Sequence, residues 1–193
     1  MKKYMLILGV LFITYTVYSQ DDTVSQVMTK QEQKQLAKEK RQAERLADEQ
    51  QAKEATDQMM QQRQFVLEAD YLSGRTGQRV PVTSTLNFIR VDSTEAVLQL
   101  GSASGMGYNG VGGITVDGNI TKYDMTKKEG KKGTTYNLTL YIMSNIGTYD
   151  VQFWISPNGQ ADATVRSTTR GSLTYSGRLV PLDESRVYKA SAF

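Results

Sequence analysis

Apolar and polar residues alternate in a series of short segments between residues 65 and 180, and this pattern constrains the fold more than any other feature of the chain. Successive side chains of a β-strand point to opposite faces, so a period of two is typical of strands with one buried face. The pattern predicts strands at residues 65–71, 86–91, 96–100, 114–116, 119–123, 136–143, 149–155, 161–165 and 173–180. No helical pattern separates these segments. The sequence therefore predicts a mainly β fold, a single antiparallel β-barrel or β-sandwich domain over residues 64–188, with a short tail at 189–193.

Turn signals between the segments predict how some of the strands are connected. Asp117-Gly118 suits a two-residue hairpin turn, because Gly adopts positive φ without a Cβ clash. Ser156-Pro157-Asn158-Gly159 matches a type I turn. The strands at 136–143 and 149–155, joined through Asn145-Ile146-Gly147, form the most strongly predicted pair. In the first strand, the alternation places Phe65, Leu67, Ala69 and Tyr71 on one face.

A long helix is predicted ahead of the β domain. Residues 29–62 contain no Gly and no Pro and are rich in residue types that favour helices. Thr29 and Glu32 have the spacing of a capping box, in which both side chains accept hydrogen bonds from backbone N–H groups of the first turn. The apolar stripe is thin and mostly Ala, so we interpret residues 21–63 as a charged, solvated helical stalk or linker. A weak coiled-coil or docking helix is the alternative.

The first 20 residues have the organisation of a cleavable signal peptide. Two lysines precede an almost unbroken apolar stretch at residues 5–13, and cleavage is expected after Ser19 or Gln20. A membrane-spanning helix needs roughly 20 predominantly apolar residues, and this stretch is shorter. No Cys follows that could carry a lipid. We therefore expect export to the periplasm, the cell surface or the extracellular space, with no stable membrane anchor after cleavage.

The composition excludes several classes of function. The chain has 23 Lys and Arg residues against 20 Asp and Glu residues. Loss of Lys2 and Lys3 with the signal peptide leaves 21 against 20, so no basic surface for nucleic acid is predicted. The chain contains no Cys and no His, which excludes disulfides, thiol nucleophiles, Cys/His zinc sites and Ser-His-Asp triads. No cofactor and no metal are predicted.

A glycine-rich segment lies between the strands predicted at 96–100 and 114–116. Gly105, Gly107 and Gly110 have the spacing of a dinucleotide-binding motif, but that motif binds phosphate only between a strand and a helix. Here a strand follows, so we interpret the segment as a loop in which backbone passes close to backbone. It could also cover a pocket, with Tyr108 and Asn109 as the groups that contact a ligand.

One predicted sheet face mixes aromatic and hydrogen-bonding side chains in the way that sugar-binding or peptide-binding surfaces do. Its members are Asn137, Tyr141, Asp150, Gln152 and Trp154. An ordinary outer sheet face is the alternative. Catalysis by carboxylates alone remains open, because glycosidases use two Asp or Glu residues and no His, and Glu68 and Asp150 are the candidates. No catalytic residue is assigned.

Several segments of the chain resemble the domain-of-unknown-function family 4251. The similar segments are residues 65–70, 87–89, 107–113 and 173–177, and the similarity covers about residues 64–187. Members of this family are secreted or envelope proteins of Gram-negative bacteria, often with a signal peptide and a charged lead-in, so the resemblance implies export. It implies no activity and no site residue.

Together, these features predict an exported, non-catalytic ligand-binding module of the periplasm or cell surface. Its expected partner is an envelope component, a glycan, a peptide or a lipid. One alternative is a structural or interaction protein of the cell envelope that uses the N-terminal helix. A second alternative is a carboxylate-dependent hydrolase.

Overall fold

The computed structural model describes residues 29–102, 110–131, 133–167 and 171–192. One helix, α1 (Lys30–Gln62), precedes the strands. The strands are β1 (Gln64–Ser73), β2 (Arg79–Pro81), β3 (Phe88–Asp92), β4 (Glu95–Leu100), β5 (Ile114–Gly130), β6 (Gly133–Ser144), β7 (Gly147–Ile155), β8 (Gln160–Ser167) and β9 (Gly171–Val180). The predicted order of one helix followed by an all-β domain is confirmed.

The strands form a closed antiparallel β-barrel, which decides between the two predicted architectures. Strands β3 to β8 each pair with the next strand along the chain, and β1 pairs with both β3 and β9. Eight strands therefore close the barrel, and β2 is an extra strand that pairs with the last residues of β1. The sequence did not predict β2. Closure pairs every barrel strand on both sides over part of its length, whereas residues 121–130 of β5 extend beyond β4 and pair only with β6.

The hairpin predicted at Asp117-Gly118 is wrong, because β5 runs through these residues without turning. Gly118 is in register with Ala96 on β4 and with Ser144 on β6. A Cβ atom on Gly118 would lie 2.6 Å from the Ile142 Cγ2 atom and 2.7 Å from the Met143 carbonyl oxygen. The glycine therefore allows close approach of a neighbouring strand, and its freedom to adopt positive φ is not used here.

The predicted face of β1 is correct up to Ala69 and wrong at Tyr71. The pairing of β1 with β9 shifts by one residue between Ala69 and Tyr71, which is a β-bulge. A bulge reverses the sides to which the following side chains point. Leu72 is consequently buried, whereas Tyr71 lies on the outer surface.

Three predicted turns are found between the strands. Ser144 and Gly147 pair at the end of the β6–β7 hairpin, and the pairing continues to Tyr136 and Ile155. The Gly159 N–H donates to the Ser156 carbonyl oxygen at 3.0 Å, as a type I turn requires. The loop predicted at residues 129–133 is the tip of the β5–β6 hairpin.

Helix α1 begins with the predicted capping box. The Thr29 N–H donates to a Glu32 carboxylate oxygen at 2.8 Å, and the Glu32 N–H donates to the Thr29 Oγ1 atom at 3.3 Å. The hydrogen bond from the Thr29 backbone lowers the pKa of Glu32. The cap satisfies backbone N–H groups that have no partner within the helix.

The last turns of α1 are part of the barrel's core, so this part of the helix is not solvated as the sequence suggested. Thr56, Met59 and Met60 are buried, and both methionines contact the side chains that fill the barrel. The Tyr136 hydroxyl donates to the Asp57 Oδ1 atom at 2.7 Å. Residues 29–51 are exposed. We call the end of the barrel that receives Met59 and Met60 the helix end.

Residues 181–190 form a strap across the outside of β1, β3 and β4. Leu182 and Val187 pack on a second apolar cluster made of Val66, Phe88 and Val97. The Gln99 side chain is completely buried beneath the strap. Its amide donates to the Tyr188 carbonyl oxygen at 2.8 Å and accepts from the Ala190 N–H at 2.8 Å. Both faces of β4 are therefore covered, which explains its nearly continuous burial.

Within the described residues, no helix is both long enough and apolar enough to cross a lipid bilayer.

Candidate functional site

The structure brings together five of the seven predicted site residues. Asn137 lies opposite Trp154, and Tyr141 lies opposite Asp150, in the β6–β7 pair. Gln152 lies between them on β7, and all five side chains point away from the core. The other two predicted residues, Tyr108 and Asn109, lie outside the described residues.

The alternating pattern of β6 and β7 explains why these side chains share the outer face. The intervening residues of both strands are buried in the barrel: Tyr136, Leu138, Leu140 and Ile142 from β6, and Tyr149, Val151, Phe153 and Ile155 from β7. A shift of the pairing by one residue would turn both apolar sets outward, so burial determines the register. The outer face is thus fixed by the core beneath it.

Tyr141 and Asp150 form the part of this face that has charged neighbours on both sides. The Lys122 ammonium lies 5.4 Å from the centre of the Tyr141 ring, within the range of a cation–π contact. Arg166 is in register with Asp150 on β8. The Asp150 Oδ1 atom is buried and accepts no hydrogen bond from the described residues.

A groove of about 180 Å³ lies beside Trp154, on the other side from Tyr141. Four adjacent strands cross it, and each contributes one outward residue in register: Trp154 on β7, Asp162 on β8, Ser176 on β9 and Tyr71 on β1. Trp154 is 51% exposed and Tyr71 is 43% exposed. Three strand spacings of about 4.8 Å separate the backbones of the two aromatic residues by about 14 Å. We call this site the Tyr71–Trp154 groove.

Tyr71 reaches the groove because of the bulge in β1. Without the shift at Asp70, Tyr71 would follow Ala69 into the core, as the alternation predicted. The extra strand β2 pairs with this part of β1 and supplies Arg79, whose guanidinium lies 4.8 Å from the centre of the Tyr71 ring. Bulges often redirect a side chain at a functional site, and this one adds a second aromatic residue to the groove.

Sequence analysis missed Tyr71, Arg79, Asp70 and Asp162 as parts of the site. One signal could have revealed Tyr71: the apolar residues Leu67, Ala69 and Leu72 are out of phase, which indicates one extra residue between Ala69 and Leu72. The sequence could not show that β7, β8, β9 and β1 are neighbours in the barrel, because this depends on strand order.

The two candidate catalytic carboxylates are not brought together. Glu68 lies on β1 and accepts a hydrogen bond of 2.7 Å from the Ser185 hydroxyl. Asp150 lies on β7, and β8 and β9 separate the two strands. Glycosidases need two carboxyl groups on either side of one bond, so Glu68 and Asp150 do not form such a pair. In the described part of the chain, no group of three or more carboxylates could hold a metal ion.

A larger groove of about 540 Å³ on β3, β4 and β5 is lined by charges that pair with each other. The Arg90 guanidinium lies 2.8 Å from an Asp92 oxygen, and the Lys189 ammonium lies 2.7 Å from an Asp117 oxygen. Hydrogen bonds from Gln64 and then Arg90 lower the pKa of Asp92. The buried Asp117 Oδ1 atom accepts no hydrogen bond from the described residues, but both basic side chains are paired and no aromatic side chain is among the described residues that line this groove. It is therefore a weaker candidate than the Tyr71–Trp154 groove.

The fold and the groove define a class: a single closed antiparallel β-barrel that follows an N-terminal helix in the chain and has a groove with two aromatic side chains on its outer surface. The chain belongs to the family described as "Domain of unknown function (DUF4251)", whose family model matches residues 47–179. The match begins inside α1 and therefore includes the turns that pack into the barrel. The resemblance stated from the sequence is confirmed.

One matching solved structure is the crystal structure of a DUF4251 family protein from Bacteroides eggerthii DSM 20697 at 1.95 Å resolution. It is 28% identical in sequence, with a TM-score of 0.56, and the match covers 69% of this chain and 90% of that chain. Among curated proteins, none matches significantly.

Proposed function

We propose that this protein is an exported, non-catalytic binding module that holds a neutral oligosaccharide in the Tyr71–Trp154 groove. The observation that carries the proposal is the pair of exposed aromatic rings at the two ends of one groove. Sugar rings have apolar faces that stack on aromatic side chains, and aromatic residues combine a large apolar area with a defined geometry. Export is supported by the signal-peptide pattern at residues 1–20.

The polar groups between the rings suit the hydroxyl groups of a sugar. Asp70, Asp162, Gln160 and Ser176 line the groove, and their side chains offer carboxylate, amide and hydroxyl groups for hydrogen bonds. The separation of Tyr71 and Trp154 favours a chain of sugars over a single ring. A peptide fits the groove less well, because a groove of about 180 Å³ lined by both polar and aromatic side chains offers little room for a protruding apolar side chain.

The test uses the chain's single tryptophan as a reporter. Trp154 lies in the groove, so oligosaccharide binding should change its fluorescence. The probes are neutral oligosaccharides of glucose, mannose and N-acetylglucosamine, and calorimetry gives the affinities. We expect Trp154→Ala and Tyr71→Ala each to weaken binding about 10-fold or more, equivalent to about 1.4 kcal/mol.

Tyr141→Ala is the matched control, because Tyr141 is also an exposed aromatic residue of the same outer face but lies outside the groove. Its affinity should equal that of the unchanged protein. Equal losses in Tyr141→Ala and Trp154→Ala, with none in Tyr71→Ala, would place the site on the β6–β7 face alone. If none of the oligosaccharides changes Trp154 fluorescence or releases heat, the proposal is wrong.

A further inference from the structure

The end of the barrel opposite the helix contains a cavity of about 290 Å³ among the inward-facing side chains. Its walls are aliphatic residues of β4, β5, β8 and β9: Leu98, Leu100, Ile114, Val116, Val165 and Leu173. We call this end of the barrel the mouth. At the helix end, Met59 and Met60 pack among the buried side chains between the strands, and the groove of about 630 Å³ that Met59 borders lies between α1 and residues 181–184.

The walls of the mouth are poorly covered by the rest of the described chain. Leu100, Ile114, Val165 and Leu173 are half-buried although they point toward the core. Removal of apolar surface from water is favourable, so the binding of a hydrocarbon that covers these four side chains would be favourable too. β-Barrels frequently bind small ligands at this position.

Two tyrosines limit what the mouth can bind. The Tyr175 hydroxyl donates to the Gln99 carbonyl oxygen at 3.2 Å, so its hydrogen bond is already made. Tyr149 also lines the cavity. Its phenolic hydroxyl can both donate and accept a hydrogen bond, so a ligand with one polar group would suit this position.

No charged side chain is present among the described residues that line the cavity. An ionised ligand group would lose its hydration there without gaining an opposite charge. We propose that the mouth is a second binding site, for an uncharged and mainly hydrocarbon molecule with one polar group such as a hydroxyl, which Tyr149 would hydrogen-bond. This site is separate from the Tyr71–Trp154 groove, and neither proposal depends on the other.

The probe for this proposal is N-phenyl-1-naphthylamine, an uncharged dye whose fluorescence rises in apolar surroundings. We expect one dye molecule to bind per chain, and we expect 1-octanol to displace it at lower concentration than octanoate does. Val165→Phe should reduce dye affinity at least about 10-fold, because the ring fills the cavity. Ile114→Phe fills the same space from another strand and serves as an independent variant.

The matched control is Thr148→Phe, which adds the same ring at an exposed position of β7. Circular dichroism and thermal unfolding establish that each variant is folded. Tyr149→Phe should weaken displacement by 1-octanol several-fold more than it weakens dye binding, since it removes only the hydroxyl.

Trp154→Ala should bind the dye normally, which separates this test from that of the groove. Equal dye binding by folded Val165→Phe, Ile114→Phe and Thr148→Phe would overturn the proposal. Dye fluorescence that rises only as the protein unfolds would also overturn it, because the dye would then be reporting exposed core.

Discussion

The two ends of the barrel share one strand pattern but differ in how their interior is filled. At the helix end, Met59 and Met60 of α1 are only 4% and 1% exposed and complete the core. At the mouth, half-buried aliphatic side chains surround a cavity of about 290 Å³. The alternation specifies which side chains point inward, but it does not specify what fills the space between them. Stability should therefore depend more on side chains of the helix end than on those of the mouth.

The largest expected effect comes from emptying the helix end. Met60→Ala should lower the free energy of unfolding by about 2–5 kcal/mol, because it removes a fully buried side chain and leaves a cavity. Leu173→Ala at the mouth should cost only about 1 kcal/mol, since Leu173 is half-buried beside space that already exists. Urea unfolding measures both values. If both variants lost the same free energy of unfolding, the helix end and the mouth would be packed equally tightly, which would contradict the difference described between them.

Two glycines that each begin a strand after a hairpin turn provide a matched pair. Gly133 lies at the helix end with φ of 116°, and Gly147 lies at the β6–β7 turn with φ of 140°. Alanine is strained at both positions. At Gly133 its Cβ would also lie 2.8 Å from the Pro157 Cβ atom, whereas at Gly147 no atom lies within 4 Å.

Gly133→Ala should therefore destabilise the protein by about 1–3 kcal/mol more than Gly147→Ala does, which is the usual cost of overpacking. Chemical unfolding of the two variants gives the difference. Similar values would show that the helix end can relax around an added methyl group.

The smallest expected effect concerns the hydrogen bond between the Tyr136 hydroxyl and Asp57. Tyr136→Phe should cost about 1 kcal/mol at neutral pH, because it removes one side-chain hydrogen bond. Tyr141→Phe, on the same strand but on the exposed face, should cost almost nothing. A loss in Tyr141→Phe as large as that in Tyr136→Phe would contradict a specific role for the Asp57 contact.

The same bond predicts a dependence on pH. Burial, followed by the hydrogen bond to Asp57, raises the pKa of Tyr136 from 10.0 to about 12. Because the pKa of Tyr136 is higher in the folded state than in the unfolded chain, protonated Tyr136 contributes to the free energy of unfolding fully below pH 10. This contribution is lost as the pH rises toward 12. Burial also raises the pKa of Tyr123 to about 12. Unfolding measured against pH should show stability falling above pH 10, less steeply in Tyr136→Phe, and a fall of equal steepness would contradict this assignment.

The sequence predicted the fold best where one face of a strand is exposed to solvent and the other is buried. In β6 and β7 the alternation holds from Tyr136 to Ile155, so the pairing and the outer face were both predicted correctly. It failed where other chain segments intervene. The strand predicted at 96–100 is confirmed as β4, but the Asp117-Gly118 pair lies between two neighbouring strands and not at the predicted turn.

The candidate site was predicted in part for the same reason. Trp154, Gln152 and Asn137 were assigned to one face because they are close in a hairpin. Tyr71 is distant in sequence and reaches the groove through a bulge and through closure of the barrel by β1 and β9. A local pattern cannot report such contacts, because they depend on strand order and on one extra residue in a ladder.

The sequence by itself determined the class of this protein: one long helix with its capping box, an antiparallel β domain, and no side chain for thiol or imidazole chemistry. These features are local, since they depend on residue type and on periods of two and of 3.6 residues. Only the tertiary structure decided that the sheet closes into a barrel, that Met59 and Met60 fill one end, and that Tyr71 and Trp154 line one groove. Each of these features depends on which surfaces, distant in sequence, bury each other. The free energy gained by burying apolar area comes from contacts between segments, so it cannot be assigned to any single segment.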